Sequence, residues 1–257
     1  LVPSGRLEEA ETLLTANLER TSATGAGAER AAAHHVLATV LEQRGDSETA
    51  RIAWEDGLEI ARECGAAQVQ ADCLEALAHL DLEKGRLDDA LSRLESADQL
   101  YRHLADTSGL ARCLVTSARV VLIRGDYSHA MALFQHAQGL FQDLRDRGGQ
   151  ASALRHQAQL DLRMGRLSAA ERRLRAALEL LTRTDLRHEQ SAILLDLGTL
   201  AQLLGRYAEA EDTLQNAVEM CRAAGNRRAE ARGLTRLGQL FVGQGKPELA
   251  RVALDNA

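Results

Sequence analysis

The chain has 257 residues and a formal net charge of −6, with a pI near 5.8. This balance argues against a nucleic-acid partner, since phosphate affinity needs a basic surplus or a dense basic face. Leu and Ala each occur 44 times, Val and Ile together 14 times and Pro twice, which excludes a sheet-rich domain and predicts an all-α protein.

No stretch reaches the roughly 18 to 20 apolar residues of a membrane span, so no membrane partner is expected. Cys64, Cys73, Cys113 and Cys221 form no CxxC pair and read as reduced thiols of a cytoplasmic protein.

A repeat runs the length of the chain. Gly stands at 5, 45, 85, 125, 165, 205 and 245, and Ala follows five residues later each time, at 10, 50, 90, 130, 170, 210 and 250. The register of 40 residues never slips, so the chain is read as a single repeat domain, 1–257, of about six and a half helix-pair units.

The elements follow from one unit. A first helix is predicted from about Ala67 to Lys84, with an inward stripe of Ala71, Leu74, Leu77, Ala78 and Leu82 at spacings of three and four. Gly85 then supplies the left-handed residue that ends a helix. A second helix is predicted from about Leu87 to Leu104, burying Ala90, Leu91, Leu94, Ala97 and Tyr101. Short turns near 25, 65, 105, 145, 185 and 225 join the units, with Asp106, Asp146 and Asp185 as N-cap candidates. Pro247 fits the first turn of the last helix. A second helix is also predicted from Leu7, and the phase at the two ends suggests an excerpt of a longer protein.

Small residues recur where helices must cross closely: Ala38, Ala78, Ala118, Ala158, Gly198 and Gly238 on first helices, and Gly57, Ala97, Ala137, Ala177 and Ala217 on second helices. A bulky series, Leu14, Trp54, Leu94, Phe134, Leu174, Leu214 and Leu254, is expected to fill the slots opposite them.

These phrases, of the form Gly-Arg-Leu-Asp-Asp-Ala and Gly-Asp-Tyr-Ser-His-Ala, resemble the signature of the tetratricopeptide repeat family. The 40-residue period is similar to its longer-helix branch, seen in kinesin light chains, spindle-orientation adaptors, bacterial peptide-pheromone sensors and MalT-like regulators. The resemblance implies a right-handed superhelical solenoid of antiparallel helix pairs, whose first helices line a concave groove.

Carrying the family's groove positions over places Asp72, Glu75, His79 and Glu83 in one unit, then Arg112, Arg119 and neighbouring Val115, then Arg155, Gln159 and Arg163. Leu195, Thr199, Arg232 and Arg236 follow. An acidic patch thus gives way to arginines, and an extended or helical partner with acidic residues is expected opposite Arg112, Arg119, Arg155 and Arg163. Asp81 and Asp161 are the internal carboxylates that could occupy those arginines instead.

His34 sits where other units carry Leu and is expected to be packed and hydrogen-bonded; His35 and His79 are expected to face the groove together. Cys73 and Cys113 read as buried small residues.

No catalytic motif, metal spacing or cofactor fingerprint emerges, and no enzyme activity, metal or cofactor is expected. The leading expectation is a protein- or peptide-interaction scaffold. The alternative is the ligand-sensing repeat domain of a bacterial regulator, with its effector domain elsewhere. Self-association through exposed terminal helices is a further expectation.

Overall fold

The computed structural model describes residues 12–16, 27–182 and 184–257. Gly5, Ala10, Gly25 and the helix start at Leu7 lie outside them. Residues 12–16 are helical, and twelve further helices follow: α1 (Gly27–Arg44), α2 (Ser47–Cys64), α3 (Ala67–Glu83), α4 (Leu87–His103), α5 (Thr107–Ile123), α6 (Tyr127–Asp143), α7 (Arg147–Arg163), α8 (Leu167–Leu180), α9 (Arg187–Leu203), α10 (Tyr207–Ala223), α11 (Arg227–Gly243) and α12 (Pro247–Asp255). The described residues contain no strand.

The helices form two compact units, one ending at Leu140 and one beginning at Phe141. In the first unit, α1 packs on α2, α2 on α3, α3 on α4 and α4 on α5, while α1 also touches α3 and α3 touches α5. In the second, α7 to α12 repeat the arrangement, with α7 touching α9 and α9 touching α11. Each unit is therefore a stack of antiparallel helix pairs whose odd-numbered, first helices lie side by side.

The glycine rhythm has the predicted cause. Gly45, Gly85, Gly125, Gly165, Gly205 and Gly245 all have φ between 68° and 89°, where a side chain is strained. The turns between repeats use the same conformation at Gly65 and Gly225, but also at Ala105 and Arg145, where a Cβ costs about 1–2 kcal/mol.

Helix starts also keep the 40-residue register. Asp106 and Asp146 cap α5 and α7 by accepting from the Gly109 and Gly149 N–H groups at 2.9 and 3.0 Å. Asp185 does not cap α9. The register places the cap at 186, which is Leu186 and makes no side-chain cap bond. Pro247 opens α12 as expected.

The small-opposite-large ladder is present. An added Cβ would lie 2.6 Å from Leu214 at Gly198 and 2.6 Å from Leu254 at Gly238. Trp54, Leu94, Phe134, Leu174 and Leu214 are buried. A second ladder, not read from the sequence, seats an aromatic ring at the end of one helix on a glycine in the first turn of the next. A Cβ on Gly109 would fall 2.3 Å from the Tyr101 ring, and one on Gly149 2.2 Å from the Phe141 ring.

Asp81 and Asp161 belong to the core and not to the groove. Asp81 pairs with Arg86 and Arg93 at 2.6 and 2.8 Å, and Asp161 pairs with Arg173. Both carboxylates point toward the following second helix, so the groove arginines are outside their reach. Cys73 and Cys113 are buried as expected, and burial pushes each thiol up to about 12.

Candidate partner-binding cleft

Three first helices of the first unit converge on a cleft of about 390 Å³. His35, Thr39 and Glu42 come from α1, Asp72, Glu75, Ala76 and His79 from α3, and Arg112 and Thr116 from α5. Their spacings of three and four put each set on one helical face. Trp54 of α2 completes the wall. The expected meeting of His35 and His79 is therefore present.

The 40-residue register explains how this polarity assembles. Asp72 and Arg112 hold the same position in successive repeats, as do His35 and Glu75. Stacking brings each to its counterpart's neighbourhood. Arg112 Nη2 lies 2.9 Å from Glu75 Oε2 and 3.4 Å from Asp72 Oδ1. The Tyr101 hydroxyl, carried on α4, lies 2.8 Å from Asp72 Oδ1 and 2.8 Å from Glu75 Oε2. The Arg112 guanidinium also sits over the Tyr101 ring, 5.8 Å from its centroid.

These contacts tune the groups. Burial pushes the Glu75 carboxyl above the ordinary carboxylate range, and the neighbouring Arg112 only partly opposes it. Burial and the two facing carboxylates push the Tyr101 phenol far up, so it stays a neutral donor. Burial works against the Arg112 charge, but Glu75 outweighs it and raises its pKa. Burial holds His35 toward its neutral form. Arg112 is thus a paired cation, already engaged by the acidic residues of the preceding repeat.

His34 differs from expectation. Its Nδ1 is buried and has no hydrogen-bond partner. It fills a Leu position in the repeat, where the surroundings are built for an apolar side chain.

The remaining candidates of the first unit are Glu83, which is exposed, and Arg119, which is half-buried. In the second unit, Arg155 Nη1 and Gln159 Nε2 both donate to Asp196 Oδ2, at 3.3 and 2.8 Å. Thr199 donates to the Leu195 carbonyl of its own helix at 2.9 Å. Arg163, Arg232 and Arg236 are exposed, and Arg236 contacts Gln239 at 3.4 Å. Leu195 is a core residue, not a groove residue, because it packs into the space over Gly233. The contributions of Trp54, Thr39, Glu42 and Tyr101 to the cleft were not read from the sequence. Trp54 and Tyr101 look like ordinary ladder residues until stacking brings their polar atoms to the first-helix face.

Among the described residues, no group of three or more His, Cys, Asp or Glu could hold a metal ion, and no helix is long and apolar enough to cross a membrane.

The stacked helix pairs define an α-solenoid repeat protein. Two tetratricopeptide repeat family models match the chain, at residues 189–255 and 31–56, and it is a tetratricopeptide repeat protein. No curated protein matches it in sequence. Solved structures match in fold. BtubC (BKLC) from P. vanneervenii is 20% identical, with 86% of this chain and 92% of that one covered, at a TM-score of 0.65. The Rap conjugation gene regulator of the plasmid pLS20, solved with the Phr* peptide, is 12% identical, with 98% and 68% covered, at 0.77. A signal transduction ATPase with a tetratricopeptide repeat sensor from Pyrococcus horikoshii is 14% identical, at 0.64; 87% of this chain is covered but only 35% of that one.

Proposed function

We propose that this chain is a protein- or peptide-binding scaffold that receives its partner on the first-helix face, acting by binding and not by catalysis. One observation carries the reading: side chains from three successive first helices, α1, α3 and α5, line a single polar cleft. Packing residues repeat, while residues on this face vary from repeat to repeat, which is how a repeat stack acquires specificity. The Rap structure with its Phr* peptide supports a peptide as the ligand class.

Asp72, Glu75, His79 and Arg112 are the contact residues of the first unit, flanked by Glu83 and Arg119. Arg155, Gln159, Arg163, Thr199, Arg232 and Arg236 are those of the second. Because Arg112 and Arg155 are engaged by internal carboxylates, a preference for acidic partner residues rests on exposed Arg163, Arg232 and Arg236. The reading places the chain in a bacterial cytoplasm. Leu249, Val252 and Leu254 of α12 are exposed and offer a surface for self-association.

A second reading is a sensory module whose effector lies elsewhere. The buried ionisable cluster around Glu75 favours it, because a ligand entering there would have to rearrange α3 and α5 contacts together.

The test is a selection of random twelve-residue peptides on the whole chain, followed by hydrogen exchange of the complexes. An enriched peptide family that protects α1, α3 and α5 is the expected result. No enrichment, or protection confined to second helices, overturns the reading.

A further inference from the structure

The cleft described above contains more negative charge than its own residues neutralise. Glu42, Asp72 and Glu75 line it against one guanidinium, Arg112. His79 Nδ1 is 3.9 Å from Glu42 Oε1. A carboxylate can accept several hydrogen bonds, so Glu42 can serve an incoming donor while keeping its present contacts.

The second, independent observation is Trp54. It is 2% exposed and forms part of the cleft wall, and its indole Nε1–H is buried without an acceptor. The bulky ladder asks only for an apolar side chain at this position: the register equivalents are Leu94, Phe134, Leu174 and Leu214. Tryptophan fills the slot and adds a donor that the fold itself does not satisfy. Buried donors are nearly always paired, and a carbonyl oxygen is the acceptor a peptide ligand would bring. An indole is also the strongest aromatic partner for a cation.

We propose that the α1–α3–α5 cleft is a subsite for a basic side chain, Arg or Lys, of a bound peptide, with Glu42 and the Asp72–Glu75 edge taking the cation and Trp54 Nε1 donating to a peptide carbonyl. The inference rests on the peptide-scaffold reading and gives it a chemical preference. It differs from the acidic-partner expectation because Arg112 is spent internally.

The peptides enriched by the selection provide the test, and Trp54, the only tryptophan of the chain, provides the signal. Enriched peptides should share an Arg or Lys. Binding should change Trp54 emission, weaken at least about tenfold in Glu42→Gln, and weaken similarly when the shared basic residue becomes Gln; a tenfold loss corresponds to about 1.4 kcal/mol. Circular dichroism of Glu42→Gln must match the parent; if it does not, the peptide-side Gln substitution alone decides. Enriched peptides lacking a basic residue, or binding unchanged by the peptide-side substitution, overturn the inference and leave the scaffold reading standing. An absence of enriched peptides overturns the scaffold reading itself. A spermidine titration separates the sources of the cation. Spermidine that shifts Trp54 emission as tightly as any selected peptide overturns the peptide assignment in favour of a free polyamine.

Discussion

Arg112 reaches back 37 positions to Glu75, placing Nη2 2.9 Å from Oε2, and so ties α5 to α3 through a carboxylate whose side chain is only 16% exposed. The guanidinium is itself 45% exposed, so water screens the pair and its full buried value is not available. Arg112→Met is expected to cost about 1–2 kcal/mol in urea unfolding at pH 7. Glu75→Gln should cost less, and should be stabilising in the Arg112→Met background, because it removes the stranded carboxylate. The pH sign follows from the raised Glu75 pKa. The folded state holds that proton more tightly than the unfolded chain, whose value is 4.5. Its unfavourable contribution is absent below 4.5 and grows as pH rises through the folded value. Arg112→Met should enlarge this loss, and equal slopes in both proteins would contradict the assignment.

His34 carries an acid sensitivity of the opposite sense. Burial lowers its pKa below 6.5, so the unfolded chain takes up the proton first. Stability is retained above 6.5 and lost as pH falls from there through the folded value. His34→Leu restores the residue type that the repeat carries at 74, 114, 154, 194 and 234. It also removes the unpaired Nδ1. A gain of about 1 kcal/mol at pH 7.5 is expected, growing at pH 5.5. The check is paired denaturant curves at the two pH values.

Asp161 is 1% exposed as a side chain and pairs with Arg173, which is 27% exposed. Two repeats earlier, Asp81 and Arg93 form the equivalent pair, while the repeat between them has Val121 and Leu133 at those positions. Arg173→Leu strands a buried carboxylate and should cost about 3–5 kcal/mol. Adding Asp161→Val should return stability to the parent value or above. A double variant as unstable as the single one would mean that the pair is not coupled.

The two glycine slots should respond differently to a methyl group. Leu214, over Gly198, is fully buried, whereas Leu254, over Gly238, is 45% exposed. Gly198→Ala should therefore cost about 1–3 kcal/mol through overpacking. In Gly238→Ala the leucine can swing aside, and the cost should stay under about 1 kcal/mol. Thermal unfolding of the two variants makes the comparison.

Gly109→Ala meets the Tyr101 ring at 2.3 Å and should destabilise by about 1–3 kcal/mol. The companion change Tyr101→Leu supplies the residue that the register has at 181 and should recover most of that packing loss. It also removes the hydroxyl from Asp72 and Glu75. Recovered packing with an altered acid transition would show that the two roles of Tyr101 separate.

The helices, their turns and the first small-opposite-large ladder are written locally. A glycine at φ near 74° in residue 85, a small residue every 40 positions and an apolar stripe at spacings of three and four are each legible from neighbours in sequence. The same register would have moved the α9 cap from Asp185 to Leu186. The cleft depends on groups that sequence distance hides. Whether Arg112 is a free cation or a paired one depends on Asp72 and Glu75, about a full repeat earlier, and on a tyrosine hydroxyl that the helical pattern counts only as core. Trp54 likewise reads as bulk until α1, α3 and α5 close around it. Periodicity encodes which face a side chain occupies. Charge pairing, burial of a polar atom and the shift of a pKa are properties of three-dimensional neighbours, and only the stacking of one repeat on the next supplies them.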